Sequence, residues 1–60
     1  MTEQQLESVM LGAALVKINN RMYAYVSNDQ YTIYFKQVDG ERQCCIPIKR
    51  MLDSNIQYIG

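Results

Sequence analysis

The sequence contains no histidine and no tryptophan, and it holds one proline and three glycines. Histidine is the commonest general base and the commonest neutral metal ligand, so its absence argues against an enzyme and against a metal site. A glycine-rich loop that would cradle a phosphate is also missing. We therefore expect a non-enzymatic protein without a cofactor or a metal, which acts by binding another molecule.

Cysteine is scarce as well, and the pair that is present consists of neighbours, Cys44 and Cys45. Adjacent side chains on a strand point to opposite faces, so a bridge between them would need a distorted backbone. One thiol is expected to pack as a small hydrophobic group. Spaced cysteines in even number, as in a secreted mini-protein, are absent, which favours a reducing, cytoplasmic location.

Long apolar runs and an excess of either charge are missing too. The longest apolar stretch, residues 9–16, is too short to span a bilayer, and residues 1–5 do not resemble a signal peptide, so no membrane contact is expected. Six basic and six acidic residues give a net charge of zero, which argues against bulk coating of DNA. A local basic patch remains compatible with this balance.

Sixty residues make one domain with a thin margin of stability. Domains of this size often gain support from oligomerisation, and near-zero net charge removes a barrier to self-association. Three apolar residues are predicted to form an oligomer interface: Leu11, Leu15 and Ile59. At about 25 cal/mol per Å² of apolar surface, burying two or three such side chains contributes several kcal/mol.

The first residues carry the signals of a helix. Thr2 is a predicted N-cap, and Gln5 three residues later completes a capping box. Gly12 is compatible with a C-terminal cap or with a longer helix, and the alternation that follows it favours the cap. Apolar residues at helical spacing are expected to face the core: Leu6, Val9, Met10 and Ala13.

The remainder of the chain alternates as β-strands do, over residues 14–18, 21–27, 31–38, 42–49 and 55–59. Asn19-Asn20 and Asp39-Gly40 are predicted hairpin turns, and Pro47 places its strand at an edge or a bulge. Residues 50–54 are predicted to form a short turn or a 3₁₀ turn. The sum is an α+β fold, in which a short N-terminal helix precedes a five-strand antiparallel meander curled into a small barrel.

Tyr23 and Tyr25 share one face of a predicted strand, and Tyr34 lies on the next strand. Two interpretations stay open. The three rings form an exposed stripe that anchors a protein partner or stacks bases, or they are ordinary cross-strand packing beneath the helix.

Two short segments resemble a known family. Residues 27–33, Ser-Asn-Asp-Gln-Tyr-Thr-Ile, followed by Lys36, resemble a stretch of the Hfq family of bacterial RNA chaperones, and Ile48-Lys49-Arg50 is similar to the family's aromatic-Lys-His segment. The order of elements likewise resembles that family's Sm-like barrel, which is SH3-like in architecture. The resemblance implies that uridine-rich RNA is contacted around the centre of a ring by Gln30, Tyr31, Lys49 and Arg50. Arg50 replaces the family's histidine, and the first hairpin is shorter.

Three functional classes follow from these features. The first is an interaction protein that regulates or inhibits a macromolecular partner, as a homo-oligomer, and that resembles phage-encoded inhibitors in size and character. The second is an Sm-like protein that binds single-stranded RNA. The third is a binder of a small ligand, such as a nucleotide, in a pocket between subunits lined by Tyr and Arg.

Overall fold

The computed structural model describes residues 1–53 and 55–60, so residue 54 of the predicted turn lies outside the described residues. Helix α1 spans Glu3–Met10. Its predicted capping box is confirmed, since the Gln5 N–H donates to the Thr2 hydroxyl over 3.2 Å and the Thr2 N–H donates to the Gln5 side chain over 3.1 Å. This reciprocal pair supplies acceptors for backbone donors that the first turn leaves free.

Gly12 ends the helix, as predicted. Its φ of 75° lies in the left-handed region that glycine adopts without a steric penalty. The Gly12 N–H donates to the Val9 carbonyl over 2.9 Å, and the Ala13 N–H donates to the Ser8 carbonyl over 3.0 Å, which is the Schellman pattern. The prediction that Ala13 faces the core is wrong, because the helical spacing stops before it; Ala13 is exposed, and Ala14 is buried instead.

Antiparallel strands follow the helix and form a single curled sheet, a half-barrel. The strands are β1 Leu15–Ile18, β2 Arg21–Asn28, β3 Thr32–Gln37, β4 Gln43–Pro47 and β5 Ile56–Tyr58. Their order is β4-β3-β2-β1-β5, so β1 to β4 form the meander and β5 returns to the far edge beside β1. A 3₁₀ turn over Ile48–Arg50 lies between β4 and β5 and begins two residues earlier than predicted.

The turns between strands confirm the sequence signals. Asn19 and Asn20 both have positive φ, 52° and 64°, as a two-residue turn of type I′ requires. The hairpin around Asp39-Gly40 is closed by the Gln37 N–H, which donates to the Arg42 carbonyl over 2.8 Å. Pro47 lies on β4, which is an edge strand as predicted.

The core fills the inner face of the sheet beneath α1. Among the described residues, its buried members are Val9, Ala14, Val16, Tyr23, Ile33, Phe35, Met51 and Ile56. The 3₁₀ turn directs the chain so that Met51 is fully buried. Within residues 1–53 and 55–60, no helix has the length and apolar character needed to cross a bilayer.

Tyr23 corrects the predicted aromatic stripe. It is only 4% exposed, and it lies directly opposite Val16, which is fully buried. Residues directly opposite each other in an antiparallel pair share a face, so the inner face of β2 carries Tyr23 and Tyr25 rather than Met22 and Ala24. Tyr23 therefore belongs to the core and is not part of an exposed partner-binding stripe.

Candidate functional site

Two distant segments of the chain meet at one corner of the half-barrel. The turn from β2 to β3 carries Gln30 and Tyr31, and the junction of β4 with the 3₁₀ turn carries Ile48 and Lys49. The Ile48 N–H donates to the Tyr31 carbonyl over 2.8 Å, which continues the β3–β4 ladder by one step. This hydrogen bond places the two segments side by side.

A shallow cavity of about 560 Å³ lies at this corner and is mainly apolar. It is lined by Gln30, Tyr31, Thr32, Pro47, Ile48 and Lys49. Tyr31 is 73% exposed, and Gln30 and Lys49 are exposed as well. Three of the four residues that the resemblance singled out, Gln30, Tyr31 and Lys49, therefore share one surface. We call this surface the tyrosine corner.

Arg50, the fourth of those residues, lines a neighbouring cavity of about 430 Å³ between β4 and β5. Its Nε lies 3.8 Å from the Asp53 Oδ2 in an exposed ion pair, an arrangement that contributes about 0–1 kcal/mol. The 3₁₀ turn separates Lys49 from Arg50 in this way because successive residues of such a turn point in different directions. The predicted small-ligand pocket lined by Tyr and Arg stays a prediction.

Asp29 organises the tyrosine corner from one side. Its Oδ1 accepts the N–H of Tyr31 over 2.8 Å and the N–H of Thr32 over 2.7 Å. Its Oδ2 accepts the Tyr34 hydroxyl over 2.9 Å. The carboxylate thus holds the backbone that carries Tyr31, in the manner of an Asx turn. No role of its own was predicted for Asp29, although an Asp two residues before the aromatic residue is the sequence signal for this turn.

These hydrogen bonds stabilise the charged form of Asp29. Its pKa is lowered from the usual 3.8, first by the backbone N–H of Tyr31, then by the Tyr34 hydroxyl and the backbone N–H of Thr32. The same contact raises the pKa of Tyr34, because its proton is held by the hydrogen bond to Asp29 and the carboxylate charge opposes ionisation. The turn is therefore anchored by a carboxylate that stays charged at neutral pH.

Stability should depend on the ionisation of Asp29. Its pKa is lower in the folded chain than in the unfolded chain, so its contribution is complete above the usual value of 3.8 and is lost as the pH falls through the lower, folded value. We expect Asp29→Asn to unfold at a lower urea concentration than the wild type at neutral pH. The difference between the two urea midpoints should narrow as the pH falls below 3.8 and through the lower pKa of Asp29 in the folded chain. Tyr34→Phe, which removes one donor and keeps the ring, should show a smaller difference. A difference that stays constant with pH would show that the carboxylate charge has no part.

The outer face of the sheet carries a second apolar surface. Val26 is 58% exposed on the outer face, where the alternation of β2 places the residue after the inward Tyr25, and it lies at a register shift between Tyr25 and Ser27. With the half-exposed Tyr34 and the exposed Cys45 it lines a groove of about 240 Å³, which we call the outer groove. The sequence did not predict Val26 as part of this surface, since its alternation alone does not say which face of β2 is the inner one.

The two cysteines lie on opposite faces of β4, as predicted. Cys44 packs against the core, where burial and then the neighbouring Cys45 raise the pKa of its thiol. Cys45 is exposed on the outer face, and both thiols are free. The inward cysteine is therefore the small hydrophobic group that the sequence predicted.

Tyr25 is half-buried, and its hydroxyl donates to the Asn28 Oδ1. Of the predicted stripe, Tyr25 and Tyr34 thus both direct their hydroxyl groups to the turn that leads into the tyrosine corner.

The residues predicted for self-association lie around the end of α1 and the edge of β5. Leu11 is 83% exposed and Ile59 is exposed, whereas Leu15 is half-buried. The Ile59 N–H donates to the Leu15 carbonyl over 2.9 Å, so these two residues are neighbours.

Comparisons of the chain with protein-family models, with curated proteins and with solved structures find no significant match.

Proposed function

We propose that this chain binds single-stranded, uridine-rich RNA at the tyrosine corner. The observation that supports the proposal is that Gln30, Tyr31 and Lys49, which come from two separate segments, line one cavity. An aromatic ring, an amide and an ammonium group beside apolar side chains suit the stacking, base-edge hydrogen bonds and phosphate contacts by which proteins bind single-stranded nucleic acids.

Each of the three side chains matches a different part of a nucleotide. The exposed Tyr31 ring offers a stacking surface, and base–aromatic stacking contributes about 1–3 kcal/mol per base. The Gln30 amide carries both donors and an acceptor, which complement the carbonyl oxygens and the N–H on the edge of uracil. The Lys49 ammonium neutralises a phosphate. The resemblance of residues 27–33 and 48–50 supports uridine as the preferred base.

The net charge of zero limits how strongly a single copy of the chain attracts RNA. With a net charge of zero, one copy of the chain attracts RNA only through local cations such as Lys49. Assembly into a homo-oligomer would present several corners to one strand, and linked sites raise the overall affinity without any new contact. Binding should therefore be sensitive to salt and should depend on the length of the RNA.

A salt series tests the electrostatic part of the proposal. In fluorescence anisotropy titrations with labelled oligouridine, Lys49→Ala should weaken binding and reduce the slope of log affinity against log salt by about 0.7, the value for one phosphate contact on a single strand. Lys36→Ala is the matched control, since Lys36 is an exposed lysine on β3 outside the lining of the tyrosine corner.

Two outcomes would contradict the RNA proposal. If oligouridine does not bind the wild type at low salt, the function is wrong whatever the fold. If Lys36→Ala lowers the slope as much as Lys49→Ala, the attraction comes from scattered charge rather than from the corner.

We also propose that the chain forms a homo-oligomer through Leu11, Leu15 and Ile59. A leucine as exposed as Leu11 gains by burial against a second copy. Leu11→Ser should weaken the association by about 2 kcal/mol, or roughly thirtyfold, and reduce the mass found by sedimentation at micromolar concentration. Leu52→Ser, at another exposed leucine, is the control and should leave the mass unchanged. A wild type that sediments as a monomer would remove this proposal.

A second candidate function is regulation or inhibition of a protein partner through the outer groove. Val26 and Tyr34 are exposed apolar side chains on adjacent strands there, and such clusters are typical of protein-binding surfaces. Capture from a lysate of the native host, followed by mass spectrometry, should recover a partner with the wild type and lose it with Val26→Glu. Capture that is unaffected by Val26→Glu would exclude the outer groove.

A further inference from the structure

We infer that the free edge of β4 pairs with the same edge of a second copy, antiparallel and about a two-fold axis at Cys45. The proposed contact shares Pro47 and Lys49 with the lining of the tyrosine corner, but the inference rests on the backbone groups of β4 and does not depend on RNA binding.

The hydrogen bonds of β3 fix which backbone groups of β4 are free. The ladder is bracketed by the Gln37 N–H donating to the Arg42 carbonyl and by the Ile48 N–H donating to the Tyr31 carbonyl, each over 2.8 Å. Antiparallel hydrogen bonds involve every second residue, so the backbone N–H and C=O groups of Cys44 and Ile46 point towards β3. The N–H and C=O of Gln43 and Cys45, and the C=O of Pro47, therefore point away from the sheet.

β4 is an unpaired edge of the sheet, and no charge lies within the strand itself. β4 ends the strand order, and the cavity of about 430 Å³ separates Cys45, Ile46 and Pro47 from Ile18 and Ile56 across the mouth of the half-barrel. The five residues of β4, Gln-Cys-Cys-Ile-Pro, include no charged side chain. Proteins usually protect a free edge with charges, proline, a bulge or a covering segment, because bare edges pair with other strands, and β4 has a proline only at its last residue, Pro47.

A two-fold axis at Cys45 satisfies these free groups reciprocally. Each Cys45 then donates to and accepts from the Cys45 of the second copy, and each Gln43 N–H donates to the Pro47 carbonyl of the other chain. In this register Pro47 acts only as a hydrogen-bond acceptor through its carbonyl, so its lack of an N–H loses no hydrogen bond. Beyond the strand ends, the same register brings Glu41 towards Lys49 of the second copy, and opposite charges across a pair are favourable.

The edge of β5 is a poorer partner for β4. The Ile59 N–H donates to the Leu15 carbonyl, so the outward backbone groups of β5 belong to Ile56 and Tyr58, whose side chains pack on the core. The outward groups of β4 belong instead to residues such as Cys45 on the outer face. Since opposed residues share a face, pairing β4 with β5 would join the outer face of one copy to the inner face of the next. Pairing of β4 with β4 has no such conflict.

Oxidation by diamide tests the register, because the reagent takes up the two electrons and two protons that two thiols release as a disulfide forms. Opposed residues in a hydrogen-bonded pair have Cα atoms about 5.5 Å apart, within reach of a disulfide. We expect the wild type and Cys44→Ser to give a dimer linked through Cys45. A large excess of Cys45→Ser protein should suppress the link, because each mixed pair then holds a thiol at position 45 in one copy only.

Sedimentation under reducing conditions tests the pairing without the disulfide. Cys45→Lys places two ammonium groups opposite each other and should lower the assembled mass, whereas Cys45→Ser should keep it. Circular dichroism shows whether both variants are folded; if Cys45→Lys is unfolded, Cys45→Glu replaces it. A link that is not suppressed by the Cys45→Ser protein reports random collision and would overturn the inference, as would a mass that Cys45→Lys leaves unchanged.

Discussion

Tyr23→Ala is expected to unfold most of the protein at room temperature. Tyr23 is almost fully buried opposite Val16, and truncating a buried aromatic side chain costs about 3–5 kcal/mol. A single core in a domain of this size rarely supplies more than about 3–5 kcal/mol in total. The loss is therefore comparable with the whole free energy of unfolding. Urea denaturation followed by circular dichroism measures it.

Two variants distinguish a Tyr23 that is buried in the core from a Tyr23 that lies on an exposed aromatic stripe. Tyr23→Phe keeps the ring in the core and should change the unfolding midpoint little. Tyr34→Ala removes a ring that is 40% exposed and should destabilise the protein far less than Tyr23→Ala. If Tyr23→Ala folds as well as the wild type, the inner face assigned to β2 is wrong.

Tyr31→Ala should lower the affinity for oligouridine by about 5- to 150-fold, the equivalent of the 1–3 kcal/mol that stacking on one aromatic ring contributes. Because Tyr31 is 73% exposed, the same change should leave the unfolding midpoint nearly unaltered. Titration of labelled oligouridine, with the urea midpoint measured on the same samples, checks both halves of this prediction.

Tyr31→Phe is the matched control, since it retains the ring and loses only the hydroxyl. It should bind oligouridine about as well as the wild type. Equal affinity of Tyr31→Ala and wild type would remove stacking at the tyrosine corner from the mechanism. Equal loss in Tyr31→Ala and Tyr31→Phe would assign the contact to the hydroxyl instead.

Local signals predicted the elements well because each depends on a few neighbouring residues. The Thr2–Gln5 capping box, the left-handed Gly12 and the Asn19-Asn20 turn are all satisfied within a few positions of the chain. The Asn19-Asn20 turn also sets which residues of the first two strands lie opposite each other. A two-residue turn pairs Ile18 with Arg21 and hence Val16 with Tyr23, so an inward Val16 already requires an inward Tyr23.

Other features depend on contacts between distant segments. The burial of Met51 requires the 3₁₀ turn to pack beneath the sheet, and the register shift beside Val26 depends on how β2 pairs with β3. Neither leaves a periodic trace in the sequence, because periodicity reports regular elements and these are interruptions of them. The separation of Arg50 from Lys49 has the same origin.

The helix, the strands, their turns and the opposite faces of Cys44 and Cys45 follow from the sequence, since capping, turn chemistry and alternation act over short stretches of chain. Contacts between distant segments bring Tyr31 and Lys49 to one corner, return β5 beside β1 and leave β4 with a free edge. These arrangements depend on which strands pair and where the sheet stops curling, and they are set by the burial of the whole core rather than by any one segment.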